Sequence, residues 1–346
     1  MATLDPSVAA VRTAVRAALG AADLEPGLAL VACSGGPDSL ALAAATQFVA
    51  PRLGWRAGLL TVDHGLQPGS ERIAARVAQW ATRAGLSPVE VLPVRVDGRP
   101  GGPEAAARAA RYQALALAAE RLGATAVLLG HTRDDQAETV LLALARGAGP
   151  RGLAGMPPRR DAGGVAWLRP LLEISRAQTR AACAALGLEP WDDPHNTDPS
   201  YARVRVRAQA LPALVAALGE GVVGNLARTA RQLAADTAAL DALAADALAA
   251  ARTGDGDRPA LAVAELAGLP EAIRTRVLHA WARELGVPGS ALSHRHVAAV
   301  DALVTRWRGQ GPAYLPSGLT IARRGGRLVA AEVSVGTGPD AEGRGR

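Results

Sequence analysis

The stretch LALVACSGGPDSLALAAA (Leu28–Ala45) constrains this chain more than any other. An apolar run, Leu28–Cys33, stops at Ser34-Gly35-Gly36, and an alanine-rich helical pattern then runs from about Asp38 to Val49. A short apolar run bounded by glycine reads as a fully buried strand, and such strands belong to parallel sheets covered on both faces. Backbone N–H groups at a strand-to-helix turn face outward, and the helix N-terminus adds partial positive charge, so the turn is an anion site. Gly35 and Gly36 let the backbone approach a phosphate closely, while the Ser34 and Ser39 hydroxyls add hydrogen bonds.

This loop has no lysine. All 38 basic residues of the chain are arginine, which excludes a P-loop lysine, a Schiff-base lysine and a lysine nucleophile. The turn matches neither GxxxxGK(S/T) nor GxGxxG. A net charge of +6 and a sequence pI near 10.4 favour polyanionic partners, and arginine can both fork onto phosphate and stack on bases. The two cysteines, Cys33 and Cys183, form no CxxC, which argues against a zinc ribbon or a cysteine-ligated iron–sulfur cluster. No run reaches transmembrane length without charges or breakers, and the N-terminus lacks a signal-peptide pattern. The expectation is a cytoplasmic protein with no membrane partner.

Strand–helix alternation continues beyond the loop. Ala57–Val62, Val89–Val96 and Thr125–Gly130 read as strands, and 71–84, 104–122 and 134–145 as helices, Pro103 opening the second of these. The expected fold class is α/β with a doubly wound parallel sheet. A further helix is expected over Ser175–Leu186, then the turn-rich EPWDDPHNTDPSY. From about residue 211 the texture changes: 217–252, 270–285 and 293–306 read as helices, and 313–316, 319–322 and 327–331 as short strands. The expected organisation is a nucleotide-binding domain over 1–215, a mainly helical domain with a short β-containing tail over 216–335, and a disordered end over 336–346. The alanine-rich helices carry no chemical motif and read as scaffold, an RNA-contacting arm or a homodimer surface.

Charged groups gather where the strands end. Asp63 and His64 follow the second strand on the carboxyl edge, where open α/β sheets bind ligands, and Asp63 can accept from adenine or ribose. HTRDDQAET (His131–Thr139) follows the fourth strand; His131, Asp135 and Glu138 share a helix face, and Asp134 and Glu138 are one turn apart. Such a cluster suits magnesium or an ammonium ion, although acidic residues in a first turn also favour the helix dipole. PEAAARAARYQAL puts Arg108 and Arg111 on a helix, where Arg108 either meets a phosphate or pairs with Glu104. RGAGPRGLAGMPP reads as a lid, an RNA-facing loop or a connector leading to LRPLL. In YARVRVR, Arg203, Arg205 and Arg207 form a basic edge fit for phosphate.

SGGPDS resembles the SGGxDS loop of the PP-loop ATP pyrophosphatases, which have the adenine nucleotide alpha hydrolase-like fold. The resemblance implies cleavage of ATP between its α and β phosphates. Ser34, Gly35, Gly36, Pro37, Asp38 and Ser39 would grip the diphosphate while a substrate carbonyl oxygen attacks the α-phosphate. Without lysine, magnesium and arginines would neutralise the leaving group, Asp38 and one of Asp134 or Asp135 positioning the metal. SGGxDS, VDHGL, AARxxRY, HxxDDxxET, RGLAGM, RPLL and DDPxNTD occur in that order over about residues 30–215. The ordered set is similar to that of the tRNA(Ile)-lysidine synthases, a bacterial family of PP-loop enzymes.

That second resemblance implies ATP-dependent ligation of free L-lysine onto the wobble cytidine of a minor isoleucine tRNA with a CAU anticodon. Adenylation of the ring carbonyl oxygen would release diphosphate. The lysine side-chain amine would then displace AMP, changing the codon read from AUG to AUA. In this reading Asp63 and His64 border the nucleoside, and Glu138 helps receive lysine. Arg108, Arg111, Arg203, Arg205 and Arg207 stabilise phosphate charge or grip tRNA, and Asp135, Glu138 or His131 takes the proton of lysine. Two positions depart from the family pattern: Val204 stands where asparagine is common, and His195 replaces a small residue before Asn196. The rival readings are a tRNA thiolase, an amidating small-molecule synthetase and a non-catalytic RNA-binding protein. Thiolation calls on cysteines, whereas Cys33 and Cys183 read as small apolar residues.

Overall fold

The computed structural model describes residues 4–21, 23–63, 65, 69–94, 103–192, 198–253 and 259–332. The chain divides into two compact units, Met1–Ala234 and Ala235–Arg346. In the first, β1 (Leu28–Ala32), β2 (Arg56–Asp63), β3 (Val89–Pro93) and β4 (Ala126–Leu129) pair in parallel. A hairpin of β5 (Arg159–Ala162) and β6 (Val165–Leu168) adds to β4, completing a six-stranded sheet ordered β3-β2-β1-β4-β6-β5.

Alternation along β1 and β4 builds two cores at once. Ala29, Val31 and Cys33, with Ala126 and Leu128, face a core shared with α1 (Pro6–Leu19), α2 (Pro37–Val49), α3 (Ser70–Arg83) and α7 (Arg176–Ala185). Leu28, Leu30, Val127 and Leu129 face the other, with Leu115 and Ala119 of α4 (Pro103–Arg121). Both faces are therefore covered, which is why these strands read as unbroken apolar runs. α1 and the β5–β6 hairpin are among the elements outside the sequence expectation. α1 is capped by the Asp5 carboxylate and buries Val8, Val11, Val15 and Leu19. The β5–β6 hairpin occupies the connector expected between the acidic helix and LRPLL.

β1 leads through α2 to β2 on one side, and β4 leads through α5 (Arg133–Ala145) toward β6 on the other. The order thus reverses between β1 and β4, and the crevice at their carboxyl ends is where such sheets hold ligands. Gly130 closes that crevice tightly. A Cβ there would lie 3.2 Å from both Ser39 N and Cα and 3.3 Å from the Asp38 carbonyl carbon.

After α6 (Pro150–Leu153) and α7, the first unit continues through α8 (Ala202–Arg205), a π-helical turn over Val206–Ala210, and α9 (Leu211–Leu218). The single helix expected over 217–252 is interrupted at Gly219, whose φ is +90°, and α10 then spans Val222–Ala251 across the division between units. The second unit holds α11 (Val263–Ala267), α12 (Glu271–Glu284) and α13 (His294–Thr305). Its five-stranded antiparallel sheet is ordered β7-β8-β11-β10-β9. The strands are β7 (Arg252–Thr253), β8 (Ala260–Ala262), β9 (Ala313–Tyr314), β10 (Leu319–Arg324) and β11 (Arg327–Glu332). The expected tail strands are thus joined by β7 and β8. Leu261, Ile321 and Leu328 meet Val277, Trp281 and Leu303 in its core. The end over 336–346 lies outside the described residues. Among those described, no single helix is long and apolar enough to cross a membrane.

Gly130→Ala forces the first turn of α2 outward, and overpacking of this kind costs about 1–3 kcal/mol. Urea unfolding is expected to show a loss of that size, and calorimetric titration a matching loss of ATP affinity; unchanged ATP affinity would mean the crevice is less tightly closed.

Candidate active site

The loop after β1 is held by its own hydroxyls. Ser39 Oγ donates to Gly36 O (3.0 Å), accepts from Ser34 N (3.2 Å) and lies 3.3 Å from Ser34 Oγ. Gly35 adopts φ +86°, where a side chain would be strained, and its carbonyl accepts from Trp191 N at 2.9 Å. Gly36 caps α2 and Pro37 opens it, with no side-chain capping hydrogen bond. A helix end of this kind presents amides without an internal acceptor, and an anion completes it.

Opposite the loop, α5 presents its acids. Thr132 and Asp135 form a capping box: Asp135 Oδ2 accepts from Thr132 N (2.8 Å) and Oγ1 (2.9 Å). Asp135 Oδ1 faces two guanidiniums, Arg176 Nη2 at 3.0 Å and Arg207 Nη2 at 3.3 Å. Glu138 is fully buried, with Arg207 Nε at 2.7 Å, Arg203 Nε at 3.3 Å and Arg176 Nη2 at 3.5 Å. The Arg203 approach is close without being aligned for a hydrogen bond, since Nε has no such partner; its directed bond runs from Nη2 to Thr139 Oγ1 at 2.8 Å. Arg203 and Arg207 reach one carboxylate because α8 and the π-helical turn carry them one turn apart on a continuous helical path.

Asp38, in the first turn of α2, has Oδ2 3.6 Å from Arg176 Nε, and its Oδ1 accepts from Thr179 Oγ1. Burial pushes its carboxyl pKa up; the Thr179 hydrogen bond and Arg176 pull it down, Asp135 and Asp134 push it up, and the net shift is upward. Asp135 ends below its ordinary value, because burial is outweighed by Arg176, the Thr132 amide and other neighbours. Burial also works against the charge of Arg176, but Asp135, Glu138 and Asp38 hold its pKa above the usual guanidine value.

A basic half adjoins this acidic one. His131 is driven down to about 3, first by burial and then by Arg169, Arg108 and Arg111, against the pull of Asp135. Its ring is therefore neutral at pH 7, and its buried Nδ1 has no hydrogen-bond partner. Arg111 is likewise lowered by burial and by Arg108 and Arg203. Arg108 lies 5.0 Å and Arg111 5.7 Å from the ring centre of Tyr112, which packs on Trp167. Crowded guanidiniums beside a neutral histidine, with the buried Nε of Arg169 lacking a hydrogen-bond partner, form a place where an anion would be stabilised.

Not every expected residue joins these halves. Asp134 Oδ2 accepts from Arg176 N at 2.9 Å, so it caps α7. Arg205 donates to the carbonyls of Pro199 (2.8 Å) and Ser200 (2.7 Å). Asp63, at the carboxyl end of β2, accepts from Gly65 N at 3.0 Å. His64, His195 and Asn196 lie outside the described residues. Arg176, Thr179 and Arg169 were not singled out by sequence, and only the serine before Arg176 signals a helix start there. Cys33 and Cys183 are both buried, with thiol pKa values raised chiefly by burial, that of Cys183 to about 11. Neither favours a thiolate.

Among the described residues no three acidic, histidine or cysteine side chains gather as a ready metal cage. Magnesium is commonly held by one or two carboxylates plus substrate phosphates. Asp38 beside the loop, with Asp135 across Arg176, fits that donor set.

Sheet order, loop and crevice together define a PP-loop nucleotide-binding domain, and the family model described as "PP-loop domain" matches residues 12–214. The solved U34-tRNA thiolase NcsA from Methanococcus maripaludis shares the fold, with a TM-score of 0.54 at 17% identity over 66% of this chain and 80% of that one. The model described as "TilS substrate binding domain" matches residues 261–329. The tRNA(Ile)-lysidine synthase of Salinispora arenicola is 68% identical over 332 residues, 96% of this chain and 98% of its own length. That of Thermobifida fusca is 55% identical, covering 94% and 97% respectively. The chain belongs to the tRNA(Ile)-lysidine synthase family of PP-loop enzymes.

The depressed pKa of His131 has a measurable sign. The unfolded chain binds a proton there near pH 6.5, whereas the folded one does so only near 3. Stability from this residue is thus complete above about pH 6.5 and falls as pH drops toward 3. NMR titration is expected to show no His131 ring titration between pH 8 and about 4, and His131→Gln to flatten the acid slope of stability; an ordinary midpoint near 6.5 would contradict the burial argument.

Proposed function

We propose that this chain joins free L-lysine to the wobble cytidine of the minor isoleucine tRNA with a CAU anticodon, consuming ATP and releasing AMP and diphosphate. One observation carries the reading: the uncapped amide end of α2 and the carboxylate–arginine cluster of α5 border the same crevice. A departing anion and an arriving cation are thereby served side by side. The PP-loop match supports ATP as substrate, and the names of the relatives supply the base and the amino acid.

In the first step the cytidine carbonyl oxygen attacks the α-phosphorus, and the bond from that phosphorus to the bridging oxygen breaks. The electron pair leaves on diphosphate, which is received by the amides of Gly35, Gly36, Asp38 and Ser39 and the Ser34 hydroxyl. Arg108 and Arg111, crowded near His131, would offset charge on the α-phosphate. Magnesium bound with ATP would add charge neutralisation at the leaving group, with Asp38 as the residue to hold it. In the second step the lysine amine attacks the activated ring carbon and AMP departs with the oxygen. The ammonium form must first lose a proton. Asp135 and Glu138 attract the cation, while His131, with a pKa of about 3, is too weak a base to hold its proton and stays a neutral neighbour.

Because Arg203 and Arg207 already pair with Glu138, and Arg207 with Asp135, lysine enters by exchanging with one of those two guanidiniums rather than by filling a vacant acid. We assign the chemistry to residues 1–215 and the grip on the tRNA body to 216–335. The substrate-binding match and the basic balance of the chain support that division. Both substrates place the enzyme in the cytoplasm.

Purified protein, unmodified minor isoleucine tRNA, Mg-ATP and labelled lysine are expected to yield labelled tRNA. Asp38→Ala should lower that yield at least about a hundredfold, and methionine tRNA should stay unlabelled. Diphosphate release without label on the tRNA would overturn the choice of lysine.

A further inference from the structure

Helix α7 carries no residue of the reaction described above, yet one stripe of it grips the first turn of α2. Arg176, Thr179 and Cys183 fall at i, i+3 and i+7, which is a single helix face. Arg176 Nε stands 3.6 Å from Asp38 Oδ2, Thr179 Oγ1 donates to Asp38 Oδ1, and Cys183 Sγ donates to Pro37 O at 3.3 Å. Both oxygens of Asp38 are thus engaged from one neighbouring helix. A carboxylate has about four acceptor sites, so those turned away from α7 remain for a ligand.

The N-terminus of α7 is also tied to α5. Arg133 N donates to Ile174 O at 2.9 Å, just before α7 begins, and Arg176 N donates to Asp134 Oδ2 at 2.9 Å. Arg176 Nη2 donates to Asp135 Oδ1 at 3.0 Å and approaches Glu138 Oε1 at 3.5 Å. One guanidinium therefore spans the acid of the phosphate loop and the acids of α5. Thr179 is completely buried, and its single hydroxyl proton has two acceptors, Asp38 Oδ1 and its own helix carbonyl at Arg176 (2.9 Å). An apolar residue of the same shape would fill that space equally well, so a hydroxyl here is informative about polarity and not packing.

We propose that Thr179 and Arg176 are positioning residues that hold the Asp38 carboxylate in one orientation and fix its place relative to Asp135 and Glu138. They touch neither ATP nor lysine and act through Asp38. The inference rests on the reading that Asp38 faces metal-bound ATP.

The test measures ATP dissociation constants of the full chain by calorimetry, once with magnesium and once with EDTA, so that the ratio isolates the metal-dependent part of binding. Asp38→Asn, the reference, should collapse the ratio toward unity. Thr179→Val, nearly isosteric, is expected to reduce the ratio about tenfold while ATP binding in EDTA stays within about twofold, in the range usual for residues that orient a metal ligand. Arg176→Lys, which keeps the charge but not the fork, should fall between Thr179→Val and wild type. Arg176→Gln should fall below both, and if it fails to fold the other two variants decide. A wild-type ratio in Thr179→Val alongside a collapsed ratio in Asp38→Asn overturns this inference and leaves the proposed function standing. An equal loss with and without magnesium overturns it too, since that is what a purely structural threonine would give. A preserved ratio in Asp38→Asn removes Asp38 from the metal and both claims about it together.

Discussion

The amide end of α2 is the constraint on which the rest of this architecture depends. Gly36 at the cap and Pro37 at the first helical position leave it with no side-chain acceptor, so the fold has to keep that end exposed to an anion while packing tightly around it. Every neighbour serves this requirement. β1 delivers the loop from the middle of the sheet, Gly130 lets the exit of β4 pass within van der Waals contact, and the buried Ser39 ties the loop to itself through hydroxyl bonds. A diphosphate that arrives there meets groups already oriented, with little reorganisation left for the moment of bond cleavage.

Charge in the crevice is arranged by the same logic without lysine. Asp38, Asp135 and Glu138 would repel one another at close range in a poorly solvated pocket. Arg176, Arg203 and Arg207, from two distant parts of the chain, bring guanidiniums against them. A guanidinium suits this place because its fork can touch two carboxylates at once. Arg176 does so between Asp135 and Glu138. Beyond it the balance changes sign, where burial first, and then Arg169, Arg108 and Arg111, keep His131 neutral. Acidic and basic halves therefore sit within one site, as a reaction that expels an anion and admits a cation requires.

Much of this was legible because it is local. The buried strands announce themselves as apolar runs, and the phosphate loop is contiguous. Asp135 and Glu138 follow from helical spacing, and α5 indeed holds them among the arginines, whereas His131, expected on the same helix face, precedes the Thr132 cap and lies outside α5. The basic edge was half legible: Arg203 and Arg207 turn to Glu138, but Arg205 points to the carbonyls of its own preceding turn. Alternate residues on a helix cannot share a face. What sequence concealed is long-range. Arg176 meets Asp38, Asp135 and Glu138 from far along the chain, and nothing in SRAQTR distinguishes such an arginine from a solvated one. Asp134 stood as an alternative to Asp135 beside Asp38 for the metal, and in space its Oδ2 accepts from Arg176 N at the start of α7. α1 escaped notice although its four buried residues recur at helical spacing, since small alanines between them blur the pattern.

The central claim is that the loop at Ser34–Ser39 receives diphosphate and leaves the adenylate on its target. Phosphorus NMR of the spent nucleotide, after turnover with tRNA and lysine, addresses it directly. The account requires AMP and diphosphate in equal amounts; ADP with orthophosphate would contradict it, whatever sequence similarity remained.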